Sequence, residues 1–518
     1  MIRTSAIALA CLASAAAHGE SPGDWRLVSG ARVTDVRAAL AAYRADEPSA
    51  PDLAEQFGVD AQTLGRLANG RAERLEFVGP AGQSAGVMRV ALSGDGPANQ
   101  LLQAEGPIVP LPGRADRFGM RRDGWLYLGA HREPIAAAAR VEAIGISECL
   151  SRALPPIEQE TDGWSTAFWA DLWTGLERLA AGPTASERQR EALAHALRHG
   201  LTSIEAVAGA ARFPEGDLAT GSAFVLAPKP RPHSLALLTT SPTDDLAAPA
   251  WLAGAAEEIV LLHADVPAAF RRMDRVFDDL LAEGIDGTYR ELLTDLADEQ
   301  GLGVDLESDL YPLLGPRVFI ARGPYTTDAQ GRSQAPALFV FQTDHADDVA
   351  QVFRRLMAPD EGVTFLEWPG RGEGWRVDSD EGPQPCLATV DGFAVYATDV
   401  GLLDSAIDEP SREKRERYEQ LNLRLRGLAG RHRPSIAVVR LAKASDLAGS
   451  ARAAQRHAAE AFFEGPALLE GYRHEGPLAL LQSITNSIAD PIILGFEATD
   501  GWEFRAAGTL DADPTTSN

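Results

Sequence analysis

The chain has 518 residues, 45% of them apolar and 24% charged, with 74 acidic against 48 basic residues and a formal net charge of -26. At roughly 100–200 residues per domain this length suits about three domains or subdomains, with enough apolar material to build cores without disulfide staples. A phosphate-binding surface needs concentrated basic residues, so the charge excludes nucleic acid as an expected partner, and only Lys229, Lys414 and Lys443 among the basic residues are lysines.

The N-terminus reads Met1-Ile2-Arg3, then an apolar stretch from Ala6 to Ala13, then Ser14-Ala15-Ala16-Ala17. A charged start, a short apolar run and an A-x-A site make a secretion signal, with cleavage expected after Ala17. The expected location is the periplasm or the exterior. Ala8-Leu9-Ala10-Cys11 is a poor lipobox. No later segment has the length and apolarity of a transmembrane helix. Cys149 and Cys386 remain in the mature chain. Export permits a disulfide between them, but cysteines so far apart are more often separate buried residues.

The fold class expected is α+β: two duplicated sheet-plus-helix modules, a helical insert and a C-terminal partial α+β module. The modules span residues 24–142 and 256–408. Gly58-Val59-Asp60 recurs as Gly303-Val304-Asp305, with Asp60 and Asp305 placed as helix N-caps and Gly70 and Gly315 as helix terminators. Strands are expected at Phe77-Val78 and Val318-Phe319-Ile320, then at 86–92 and 337–341. A helical pattern follows in each module, with Val349, Val352, Phe353 and Leu356 as its stripe in the second. Asp123-Gly124-Trp125 and Asp391-Gly392-Phe393 are hairpin turns running into strands, each followed by a closing helix.

The intervening segment, 143–255, carries Trp164, Phe168, Leu172, Leu176 and Leu179 at helical spacing, with Trp169 and Trp173 beside them. A second helix is expected from Ser186 to Arg198, then a hairpin over 204–213 and 222–226 and a Pro-rich linker over 228–232. The C-terminal segment, 409–510, reads as a charged helix over 411–427, a strand over 435–441, an Ala-rich helical region and a final hairpin over 492–497 and 502–510. Helix-then-hairpin thus recurs, a weak match to a third partial repeat. Residues 511–518 read as a disordered tail.

Gly303-Val-Asp-Leu-Glu-Ser-Asp-Leu-Tyr-Pro-Leu-Leu-Gly315 resembles the signature of an uncharacterised bacterial family of exported proteins with a repeated domain of unknown function. The first module matches it only loosely, with Leu64-Gly65-Arg66-Leu67 in place of the Asp-Leu-x-Pro core. The resemblance implies export and a repeated α+β fold. It implies no reaction, so no catalytic residue is carried over.

The candidates for chemistry each have a plain structural reading. His195 and His199 lie four apart on a helix and could share a metal, but the segment lacks the Glu of a zincin and has no third ligand. Asp378, Asp380 and Glu381 resemble the start of a calcium loop, yet Thr389 stands where a bidentate Glu is required. Gly370-Arg371-Gly372-Glu373-Gly374 lies between strands and reads as a hairpin, not a phosphate cradle. The tryptophans of 164–173 could bind an apolar ligand or a sugar, and the stripe Phe270, Met273, Phe277, Leu280 reads as core. No nucleophile elbow, phosphate loop or dinucleotide fingerprint occurs in its required setting. No catalytic, cofactor-binding or metal-binding residue is therefore assigned, and no cofactor is expected. The function expected is a non-catalytic binding or structural role in the envelope. The alternatives are an exported hydrolase with a site assembled from distant residues, and a carrier of an apolar ligand.

Overall fold

The computed structural model describes residues 25–44, 57–79, 83–92, 106–140, 164–171, 187–200, 203–213, 220–227, 240–245, 247–252, 256–280, 285–298, 302–324, 333–357, 362–379, 383–408, 432–440, 492–498 and 501–507, with isolated positions between them. The signal segment, Cys149, Leu172, Trp173, Leu176, Leu179, Asp380, Glu381, the Pro-rich linker apart from Lys229, most of the charged 411–427 helix and the tail lie outside the described residues. Strand and helix are mixed, with antiparallel sheet dominant, as an α+β fold requires.

In chain order the elements are β1 (Arg26–Val33), α1 (Val36–Arg44), α2 (Ala61–Leu67), β2 (Ala68–Val78), β3 (Ser84–Leu92), β4 (Val109–Leu111), β5 (Arg114–Arg122), β6 (Trp125–Gly129), α3 (Arg132–Ala138), β7 (Trp164–Ala170), α4 (Glu187–Arg198), β8 (Ala206–Phe213) and β9 (Thr220–Leu226). There follow β10 (Glu258–His263), α5 (Val266–Arg271), α6 (Asp274–Leu280), α7 (Thr288–Ala297), α8 (Leu306–Asp309), a 3-10 turn (Tyr311–Leu313), β11 (Arg317–Arg322), the ribbon β12 (Thr326–Thr327) and β13 (Ser333–Gln334), β14 (Ala337–Gln342), α9 (Ala346–Met357) and β15 (Val363–Trp368). The chain ends with β16 (Gly372–Val377), β17 (Cys386–Val390), β18 (Phe393–Ala397), α10 (Val400–Ile407), β19 (Ile436–Arg440), β20 (Ile492–Ala498) and β21 (Gly501–Ala507).

The chain divides into two compact units. The first comprises residues 1–229, 444–490 and 500–518; the second comprises 230–443 and 491–499. The first unit's sheet runs β4-β5-β6-β3-β2-β1-β7-β8-β9-β21, antiparallel throughout. The second unit's sheet runs β15-β16-β17-β18-β14-β11-β10-β19-β20, also antiparallel. From β4 to β8, and from β16 to β20, the two orders correspond strand for strand.

The Asp-Gly dipeptides explain how the hairpins close. Asp123 and Gly124 have φ 52° and 76°, and Asp391 and Gly392 have φ 50° and 79°. Two successive positive φ values make the tight turn whose twist matches flanking strands, and Asp tolerates the left-handed region better than most residues. The Gly-Val-Asp corners are likewise alike. Gly58 and Gly303 have φ 78° and 60°, and Val59 and Val304 are buried. Asp60 accepts from the Thr63 N–H at 2.8 Å, and Asp305 from the Glu307 N–H at 2.9 Å. Neither Gly70 nor Gly315 ends a helix directly. Gly70 lies inside β2 at a register shift, with φ 78°, and Gly315 follows the 3-10 turn, donating its N–H to Gln342 O at 2.7 Å.

The central strands are covered on both faces. Neighbouring strand residues point to opposite faces, and Glu73, Arg74, Leu75 and Glu76 of β2 are all buried, as are Val318 and Phe319 of β11. In the first unit, Leu40 of α1 and Leu64 and Leu67 of α2 share a core with Val33, Met88, Val90, Leu126 and Leu128. In the second, α10 packs Leu403 and Ala406 with Phe319, Val340 and Val395. On its other face α9 packs Val349 and Phe353 with Val318, Trp375 and Ala394.

The expected helix through Trp164 is instead the strand β7, paired with β1 and β8. The reason is two-sided burial. Thr166 and Ala167 point to opposite faces and both are buried, so no polar alternation marks the strand and its aromatics fall at helical spacing by coincidence. The segment between the modules is therefore sheet as well as helix. The stripe from Phe270 to Leu280 falls on two helices, α5 and α6, separated at Arg272 and Met273.

Gly30 of β1 pairs with Trp169 of β7, and a Cβ at Gly30 would clash with the Trp169 ring. Gly30→Val is therefore expected to lower unfolding stability by about 2 kcal/mol or more in chemical denaturation. A change within error would show that the indole can move aside.

Candidate functional site

The signature segment is a corner that ties helices to sheet. Asp305 caps α8 through the Glu307 and Ser308 N–H groups. Asp309 pairs with Arg355 of α9 at 2.6 Å, and Arg355 also donates to Gly303 O at 3.3 Å. Pro312 sits in the first turn of the 3-10 element, where its missing N–H is no loss. Tyr311 is buried, stacks on Phe270 with ring centroids 4.7 Å apart, and shares a 2.8 Å hydrogen bond with the Tyr289 hydroxyl. Burial pushes both phenol pKa values up. Leu313 O accepts from Thr343 Oγ1 at 2.8 Å, and Leu314 joins the core under α9. Asp305, Ser308, Asp309 and Tyr311 of the motif thus have structural partners. An open groove of about 570 Å³ lies between this corner and α9, lined by Asp309, Leu313, Asp348, Gln351, Val352 and Arg354 among others.

A buried cluster of charge lies inside the first unit. Three guanidinium groups converge on Glu73, whose side chain is fully buried: Arg32 Nε at 3.0 Å, Arg71 Nη2 at 2.5 Å and Arg89 Nε at 2.6 Å. The residues lie side by side on three strands, since Arg32 pairs with Glu73 and Glu73 with Arg89. Arg71 and Arg89 also lie over the Trp125 ring, at 5.4 and 5.0 Å from its centroid. Burial would raise the Glu73 carboxyl, but Arg89, Arg32 and Arg71 outweigh it and hold the pKa below the ordinary value.

Counting outward from the two Asp-Gly turns, Arg32, Glu73 and Arg89 occupy the ladder positions that Leu261, Phe319 and Val340 occupy in the second unit. Trp125 and Phe393 likewise correspond, as do Arg71 and Arg317. Arg317 lies 5.3 Å from the Phe319 ring centroid. The same layer is ionic in one unit and apolar in the other.

A Ser–His contact occurs at the surface of the second unit. Ser241 Oγ lies 2.7 Å from His263 Nδ1, which is also 3.0 Å from Ser241 O. One nitrogen either accepts from the hydroxyl or donates to the carbonyl, so the carbonyl competes with any activation of the serine. No carboxylate is hydrogen-bonded to Nε2 among the described residues. Nearby, Thr240 Oγ1 donates to Ser435 Oγ at 2.9 Å and lies 3.3 Å from Glu497 Oε2. Neither position carried a sequence signal, since the two residues are far apart in sequence and meet through a bridge between Thr240 and Ala264.

The sequence candidates are not brought together. His195 lies on α4 and His199 in the turn just past its last residue, Arg198, and no group of three or more metal-ligating residues occurs among the described residues. Asp378 instead accepts from Thr364 Oγ1 at 2.7 Å and pairs with Arg376 at 2.8 Å, and those bonds lower its pKa. Thr389 is buried in β17. Gly370 to Gly374 form the turn and first residues joining β15 to β16. Cys386 is a free, buried cysteine, and burial pushes its thiol up to about 12, which keeps it protonated and a poor nucleophile. No helix among the described residues is long and apolar enough to cross a membrane. No family model matches the chain, and no curated protein or solved structure is significantly similar to it.

Glu73→Gln leaves three guanidinium groups around a neutral amide and is expected to cost about 3–5 kcal/mol of unfolding stability at neutral pH. Because the folded-state pKa of Glu73 is lowered, its contribution is full above the unfolded-state value and is lost as pH falls through the folded-state value. The deficit of the variant should therefore shrink in acid. The triple change Arg32→Leu, Glu73→Phe, Arg89→Val installs the second unit's layer and should be far less costly than Glu73→Gln alone. Urea titrations across pH check all three statements.

Proposed function

We propose that the protein is an exported, non-catalytic component of the cell envelope, binding or structural in role, built by tandem duplication. Each copy would run well past the signature-bearing module, over 26–226 and 258–507. The observation that carries this reading is the matched strand order of the two units, with an Asp-Gly hairpin and a Gly-Val-Asp corner at the same places in each. The structural use of Asp305, Asp309 and Tyr311 supports the same reading, because the residues of the signature serve packing and capping. Membership of the exported repeat family belongs to this proposal and rests on the signature at 303–315.

The Ser241–His263 contact favours a second reading, an exported hydrolase with Ser241 as nucleophile and His263 as base. One experiment separates the two. The protein is purified from its native envelope fraction and offered ester, glycoside and peptide substrates. The proposal expects a mature N-terminus at His18 by mass spectrometry and no turnover above buffer. Turnover that Ser241→Ala abolishes would replace it with the hydrolase reading, and an intact Met1 in a cytosolic fraction would overturn export.

A further inference from the structure

The two sheets end differently. The first unit's sheet stops at β4, a three-residue strand with a proline at its centre and a register shift beside it. These are common devices for blunting an open edge. The second unit's sheet stops at β15, six residues long, in unbroken register with β16 and without proline, lysine or arginine. No strand pairs with its outer side among the described residues. Phe365, at the middle of the strand, is 51% exposed, and its ring lies 5.7 Å from that of Trp375.

The hydrogen-bond phase of β15 says which groups are open. The Asp378 N–H donates to Gly362 O at 2.7 Å, in line with the β15–β16 register. Backbone groups alternate between the two sides of a strand. Positions 362, 364, 366 and 368 therefore face β16, and the N–H and C=O of Val363, Phe365 and Glu367 face outward.

We propose that β15 pairs antiparallel with β15 of a second copy, about a two-fold axis through Phe365. In that register Phe365 meets Phe365 of the second copy and Val363 meets Glu367. All three outward-facing positions then exchange bonds with outward-facing partners, about six backbone hydrogen bonds in all. Opposite residues also lie on the same face, so the sheet continues across the axis. Other registers of the same phase form fewer bonds, and the one centred on Glu367 sets carboxylate against carboxylate. The contact is self-complementary, and forming it uses up the edge, so the assembly closes at two chains.

Sedimentation of the full mature chain tests this. The expected result is a mass twice that of one chain that falls to one on dilution. Two such strongly acidic chains repel each other, so added salt should favour the pair. Phe365→Lys should hold the protein at one chain at every concentration, with unchanged circular dichroism. Ile285→Lys, at a residue 64% exposed elsewhere in the same unit, should still pair. Should Phe365→Lys misfold, hydrogen exchange on the unmodified protein decides: the amides of Val363, Phe365 and Glu367 exchange slowly when concentrated and fast when dilute. A single chain at all concentrations, a pair that survives Phe365→Lys, or concentration-independent exchange at those amides would overturn the proposal.

Discussion

Dry packing on both faces of the central strands is the constraint on which the rest depends. A strand with water on one side can alternate polar and apolar residues, but β2 and β11 have no such side. Every side chain on them must find a partner within the protein. The second unit meets that demand with hydrocarbon and rings, Phe319 against Phe393 and Trp251 against Phe393. The first unit meets it at the corresponding positions with a carboxylate held by three guanidinium groups over a tryptophan.

These solutions differ in what they tolerate. An apolar layer loses stability in proportion to the volume removed and lets neighbours settle into the space. An ionic layer depends on each member, because removing one leaves a buried charge without its partner. The second buried pair in β2, Arg74 with Glu76 at 2.7 Å, lies on the opposite face and adds to that dependence.

Much of the fold was legible in local chemistry. The Asp-Gly turns, the Asp60 and Asp305 caps, the amphipathic α9 and the strands flanking them are set by neighbours in sequence, and each occurs where its residues place it. What could not be read was whatever depends on the far side of a strand. β7 passed for a helix because burial on both faces removes the alternation that marks a strand. The charged residues of β2 carried no sequence signal of burial, since Arg32 and Arg89 reach Glu73 only once three distant strands lie side by side. Ser241 and His263 were silent for the same reason.

The chain crosses between units once more at its end. β20 belongs to the second unit and β21, which begins at Gly501, to the first, where it pairs with β9. Ala459 and Phe462 also sit in the first unit's core. The N-terminal unit is therefore finished with material made last. During synthesis its sheet must wait with an open side at β9 until β21 emerges, so the first unit to appear is completed after the second has been made.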